Sequence, residues 1–164
     1  MPLQLSILDQ SVALAGQGED AAIRDTLALA EHAEHSARTD VHVGYEGPAE
    51  GAIAICDGAL VRQVVWNLVK NGMQVSPPNS TVLVTVRTVG SEIELCVRDA
   101  GPGVTAAQRD VIFDAFYTTR THGAGLGLAV VKRIMSDHAS MGGRIEVDAD
   151  AGAGVFRLYF RAVA

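Results

Sequence analysis

Three glycines at alternate positions, Gly123, Gly125 and Gly127, run into an apolar helical pattern in HGAGLGLAVVKRIM, residues 122–135. Glycine lets successive backbone N–H groups turn toward one point. A helix starting near Leu126 brings the positive end of its dipole to the same place. The joint is suited to an anion such as phosphate. No G-x-x-x-x-G-K-[ST] loop is present, which excludes a P-loop. A dinucleotide fingerprint is tempting, because Asp148 follows about twenty residues later. That reading fails on two counts. Leu128 stands where the third glycine belongs, and FDAFYTTRTH before the loop is a poor strand.

The rest of the chain alternates strands and helices. LQLSIL (3–8) reads as a short strand, and residues 21–37 carry helical spacing with Ile23, Leu27 and Ala30 on one face. DVHVGY and AIAIC read as strands separated by a glycine- and proline-punctuated loop. Asp57 is placed to cap a helix over 58–75, which Pro77-Pro78 stops. STVLVTVRT and EIELCVRD form a hairpin through VGS. A helix is expected over 126–141, ended by Gly142-Gly143, and RIEVDAD and VFRLYFRA close the chain around AGAG. The expected fold is an α/β two-layer sandwich. Its sheet is mixed, mainly antiparallel, of about five strands, with about three helices on one face.

At 164 residues the chain is long enough for one domain with a real core, spanning 1–164. A net charge of -6 speaks against a nucleic-acid partner but not against a nucleotide. Cys56 and Cys96 sit in strand-like apolar runs and read as buried thiols of a reducing compartment. No apolar run reaches the roughly 18 residues of a membrane span, and MPLQLSILDQ lacks the basic-then-apolar pattern of a leader. A cytoplasmic domain, or one cut from a longer protein, is expected, without membrane contact of its own.

Four polar stretches carry the chemistry. On the 58–75 helix, Gln63, Asn67 and Asn71 fall at i, i+4 and i+8, so amides repeat along one face. They could hold a hydrated metal or phosphate oxygens, or simply face solvent. In VRDAGPGV, Asp99 ends a strand and Gly101, Pro102 and Gly103 turn the chain at once. A carboxylate there suits a donor on a flat ring, such as an adenine amino group; an ordinary turn is the alternative. In FDAFYTTR, Phe113 and Phe116 are expected to anchor the segment in the core. Thr118, Thr119 and Arg120 could meet phosphate oxygens or lie on the surface. The glycine loop is the fourth.

Taken in order, QVVWNLVKNGMQVSP, DAGPG, FDAFYTTR, GAGLGLAVVKRI and GAGVFRLYF resemble the N-box, first glycine box, F-box, second glycine box and closing hairpin of one family. This is the ATP-binding catalytic domain of bacterial two-component sensor histidine kinases, within the superfamily shared with gyrase, heat-shock chaperone and mismatch-repair ATPases. FYTTR followed after only two residues by glycine, together with NGMQ, looks most like the nitrogen-regulation type with a short lid. The resemblance covers roughly residues 50–161.

The resemblance implies ATP and Mg2+ as ligands. Asn71, helped by Asn67, would ligate Mg2+, and Asp99 would accept from the adenine amino group. Gly101 and Gly103 would keep side chains off the ring. Gly123 and the backbone of Gly125, Leu126, Gly127 and Leu128 would wrap the phosphates, with Thr118 and Thr119 nearby, and Arg120 would approach the terminal phosphate. Little covalent chemistry is then left to the protein, which supplies position and charge. Relatives that activate water or a hydroxyl carry Glu where Asn67 stands. A neutral imidazole needs no such base, so Asn67 favours a histidine acceptor.

The implied partners are a phosphoacceptor histidine domain of the same parent kinase and a response regulator. The parent is expected to be a homodimer and this piece a monomer. The acceptor is not within these 164 residues. HSART (35–39) lacks the acidic residue and the proline of an acceptor box and leaves no room for a helical hairpin. His122 and His138 are expected at the surface, although His122 lies in the lid. Val155 replaces a threonine of the last box, and about three extra residues near ASM precede Gly142-Gly143. Two other readings stand beside the kinase. One is a non-catalytic module docking a response regulator or anti-sigma partner; the other is an anti-sigma-type serine kinase.

Overall fold

The computed structural model describes residues 40–47, 54–119 and 125–163. The elements are β1 (Val41–Glu46), α1 (Gly58–Val75), β2 (Ser80–Val89), β3 (Glu92–Arg98), α2 (Gly127–Asp137), a 3-10 turn (Ala139–Met141), β4 (Arg144–Val147) and β5 (Val155–Arg161). The strands lie in the order β1-β2-β3-β5-β4. β1 and β2 are parallel, which requires a crossover, and α1 supplies it. All other pairs are antiparallel. The expected mixed, mainly antiparallel five-stranded sheet is present. The described residues hold two α-helices rather than three; the strand expected at 3–8 and the helix expected over 21–37 lie outside them.

Register builds the core. Val84, Val97, Phe156 and Val147 stand side by side across β2, β3, β5 and β4; Val86, Leu95, Leu158 and Ile145 form the next row. Alternation sends these side chains to one face. There they meet Val61, Val64, Val65, Leu68 and Val69 of α1 and Val131, Ile134 and Met135 of α2. Both helices therefore cover the same face and pack on each other. Leu158 is fully buried, and truncating it to alanine removes a side chain of the kind that costs about 2–5 kcal/mol in a core.

The ends of α1 match the sequence reading. Asp57 Oδ1 accepts from the N–H groups of Ala59 and Leu60, satisfying two of the free donors of the first turn. The last helical residue is Val75, before Ser76 and the two prolines. The far helix differs from expectation. α2 stops at Asp137, and the extra residues form the 3-10 turn after His138. The carbonyl of His138 accepts from both Met141 N–H and Gly143 N–H at 2.9 Å. The insertion is thus a closed excursion that returns the chain to the same point, and Gly142 at φ +88° provides the left-handed turn out of it.

Three other expectations change. His138 is not at the surface: it is 1% exposed, because Val131, Ile134, Met135 and His138 share the inward face of α2. Phe113 packs against the core, but Phe116 is 75% exposed. Its backbone is left-handed at φ +68°, which points its ring away from the side that an F-x-x-F spacing suggests. Cys56 and Cys96 are half-buried rather than buried, and neither is in a disulfide. Burial still pushes the Cys96 thiol up, against the pull of Arg157. Among the described residues, no helix is long and apolar enough to cross a membrane.

Candidate functional site

A cavity of about 470 Å3 opens between α1, the C-terminal end of β3, the 105–119 segment and the start of α2. Asn67 and Asn71 line it from α1, and Asp99 and Gly103 from beyond β3. Tyr117, Thr118 and Thr119 come from the lid stem, and Gly125, Leu126, Gly127 and Leu128 from the glycine loop. Sequence-distant candidates therefore converge on one place. Gln63 is exposed and does not reach the cavity, so only two of the three repeated amides belong to it. Arg120, Gly123 and His122 lie outside the described residues.

The inner end is built around Asp99, which is 8% exposed. Its Oδ1 accepts from Gly101 N–H at 2.8 Å and Gly154 N–H at 3.1 Å, and its own N–H donates to Gly154 O at 2.9 Å. Both side-chain hydrogen bonds fall on Oδ1. Ser76 Oγ accepts from Ala100 N–H at 3.2 Å, fastening the turn to the end of α1. The glycines here answer to packing. A Cβ on Gly101 would come within 2.6 Å of Val75 Cγ2, and one on Gly154 would overlap the Asp99 carboxylate. Gly103, at φ +79°, lies against the backbone of Ala153. Gly101 is not itself a lining residue, so the close contact it permits is with α1 and not with the cavity.

At the other end, the start of α2 sits over the amide face of α1. A Cβ on Gly127 would lie 3.4 Å from Asn71 Nδ2, 3.7 Å from Asn71 Oδ1 and 4.0 Å from Asn67 Oδ1. The glycine loop and both asparagines therefore face one small volume. The lid stem is clasped below it: Phe116 N–H donates to Gly125 O at 2.9 Å, and a side chain on Gly125 would collide with the Phe116 backbone. The wall between the two ends is the 105–112 turn. Thr105 and Gln108 brace it reciprocally, Gln108 Oε1 accepting from Thr105 N–H at 3.0 Å and Thr105 Oγ1 accepting from Gln108 N–H at 3.3 Å.

Lys70, Gln74, Val75, Gln108, Ile112, Gly154 and Phe156 also line the cavity and were not among the sequence candidates. Gln74 stands at i+3 from Asn71 and Lys70 at i+3 from Asn67, a spacing that could have placed both near the amide face. Gly154 lies in the GAGVFRLYF match but pairs with Asp99 only through the β3–β5 register. Val155 is buried and is not a lining residue. Among the described residues, no three His, Cys, Asp or Glu side chains converge to hold a metal.

A two-layer sandwich with an open cavity between two helices, a strand-end carboxylate and a glycine loop at a helix start defines a class of nucleotide-binding domain. Residues 56–163 match the family of histidine kinase-, DNA gyrase B- and HSP90-like ATPases, and the chain belongs to that family. It is 39% identical over 92 residues to the sensor histidine kinase ZraS of Escherichia coli, covering 56% of this chain and 19% of that protein. It is 37% identical over 112 residues to the sensory histidine kinase/phosphatase NtrB of Rhizobium leguminosarum, covering 58% of this chain and 28% of that protein. The chain thus spans between 19% and 28% of the length of these relatives. Among solved structures, the catalytic domain of histidine kinase ThkA superposes with a TM-score of 0.74 at 25% identity, covering 87% of this chain and 91% of that one.

Proposed function

We propose that the cavity binds Mg-ATP and that this chain is the catalytic part of a two-component histidine kinase. It donates the γ-phosphoryl group to a histidine on a separate helical-hairpin domain of its parent, for onward transfer to a response regulator. The observation that carries this reading is the convergence of Asp99, the Asn67/Asn71 pair and the Gly125–Leu128 backbone on one cavity. Their order along it matches a nucleotide, with the base at the Asp99 end and the phosphates at the α2 end.

In this reading Asp99 Oδ2 accepts from the adenine amino group while Oδ1 stays held by two backbone donors. Holding a carboxylate in advance lowers the ordering cost of binding. The N–H groups at the start of α2 face the phosphates, where the helix dipole adds to their pull. Thr118 and Thr119 line the cavity from the lid stem. The amide oxygens of Asn71 and Asn67 suit a hard, partly hydrated cation held jointly with phosphate oxygens, which fits the amide pair facing Gly127. A bound Mg2+ would neutralise charge building on the phosphates. In the transfer, the bond from the γ-phosphorus to the bridging oxygen breaks as one to an imidazole nitrogen forms, and ADP leaves. The imidazole brings its own lone pair, so the neutral amide of Asn67 suffices where a carboxylate base would otherwise stand.

The test is incubation of the chain with labelled ATP, Mg2+ and a histidine-bearing hairpin domain from a relative. The expected product is an acid-labile phosphate on the hairpin and none on the chain. An acid-stable label would indicate serine transfer, and no label despite tight nucleotide binding would indicate a non-catalytic module.

A further inference from the structure

His138 stands 81 residues from the cap of α1 in sequence, yet it joins the two helices that frame the cavity. Its ring is buried and presents an edge to Phe160 of β5, at 6.1 Å between centroids and 83° between planes. Nδ1 lies 2.8 Å from Ile134 O, and Nε2 lies 3.0 Å from Asp57 N. A carbonyl can only accept and a peptide N–H can only donate. Nδ1 therefore carries the proton and Nε2 is the acceptor, so the bridge requires the neutral ring in a single tautomer. No other side chain offers a donor and an acceptor on opposite sides of one rigid ring.

The location gives this bridge leverage. Asp57 is the residue that caps α1, and His138 is the residue that ends α2. At its opposite end, eleven residues or about 16 Å away, α2 begins at Gly127, beside Asn67 and Asn71. The helices are thus fastened at one end by His138 and present the phosphate loop at the other. The 3-10 excursion leaves this seat intact, because Gly143 N–H returns to His138 O.

We propose that His138 is a positioning residue for the phosphate end of the cavity: by tying the end of α2 to the start of α1, it sets where the Gly125–Leu128 backbone stands relative to Asn67 and Asn71. The proposal rests on the nucleotide reading of the cavity. It predicts an effect on phosphate recognition and none on base recognition, because Asp99 is held by Gly101 and Gly154 independently of α2.

His138→Asn keeps a donor where Nδ1 is and loses the bridge to Asp57; His138→Gln keeps an acceptor where Nε2 is and restores it. Affinities for ATP and adenosine are measured with Mg2+ by displacement of a fluorescent ATP analogue, well below the melting temperature of each variant. His138→Asn is expected to weaken ATP on the order of tenfold while adenosine is unchanged, with most of the loss recovered in His138→Gln. Equal ATP-to-adenosine ratios in all three proteins would overturn the proposal, leaving His138 a clasp for stability alone. A second readout needs no variant: on adding Mg-ATP to the native chain, the Asp57 amide and His138 Nε2 resonances should shift. Silence at both overturns the proposal as well. If the native chain binds no Mg-ATP at all, it is the nucleotide reading of the cavity that has failed.

Discussion

Strand β3 leads to two buried carboxylates that meet opposite fates. Glu94, 3% exposed, lies on the sheet face away from the helices. Its Oε1 accepts from Arg87 Nε at 2.7 Å and its Oε2 from the Tyr159 hydroxyl at 2.9 Å, with Arg157 Nε 3.9 Å away. Around it, Arg157 pairs with Asp148, and Arg144 bonds Glu92 and lies over the Tyr159 ring. Both oxygens of Glu94 are thus engaged by side chains of the neighbouring strands β2 and β5. Asp99, five residues on, has both its side-chain hydrogen bonds on one oxygen, both from backbone, and it borders the cavity. A closed network stabilises the sheet and offers nothing to a ligand. A half-engaged carboxylate held by backbone is ready for one.

The contrast can be broken most directly by exchanging the two losses. Asp99→Ala should weaken an ATP analogue by roughly 10- to 150-fold, about 1.5–3 kcal/mol, the worth of a charge-assisted hydrogen bond. Glu94→Gln should leave that affinity unchanged. Equal losses in fluorescence titrations of the two variants would erase the distinction.

Gly154→Ala sharpens it, because the new methyl group would occupy the place of the Asp99 carboxylate without altering its chemistry. An affinity loss of about tenfold is expected. Gly90→Ala is the control: at φ +61° with open space around it, it should cost about 1 kcal/mol of stability and leave binding as it was. Unaltered binding in Gly154→Ala would show that the Asp99 geometry is not what the cavity depends on.

The smallest effect concerns acid. Burial alone would raise the Glu94 carboxyl, but hydrogen bonds from Arg87 and Tyr159, with the charges of Arg87 and Arg157, outweigh it and hold it below the ordinary range. A depressed carboxyl contributes stability above its unfolded value, about 4.3, and loses it as pH falls through the folded value. Urea midpoints should therefore decline more steeply below about pH 4.3 in the native chain than in Glu94→Gln. Parallel acid limbs would mean that the network does not favour the ionised form.

Much of this was readable in advance where the cause is local. The cap at Asp57, the stop before Pro77, the hairpin through VGS and the helix over 58–75 depend on residues a few positions apart. The amide pair and the Asp99 turn were also legible, because helical spacing and glycine chemistry act at short range. His138 could have been found: Val131, Ile134, Met135 and His138 repeat at the spacing of one buried helix face. Phe116 could not, since its exposure follows from a left-handed backbone imposed by the Phe116–Gly125 clasp.

By itself, then, the sequence determined which segments become helices and strands, which face of each is apolar, and which polar residues share a helix face or a turn. Those are consequences of backbone preference and periodicity. Only the tertiary structure decided which carboxylate is closed and which is open. Glu94 and Asp99 differ in the strands and turns that pack against them, and that pairing is set by the β2-β3-β5-β4 register. Contacts of that kind join residues far apart in sequence, such as Asp57 and His138, 81 positions from each other. Their geometry comes from the joint packing of the whole core and not from the residue types alone.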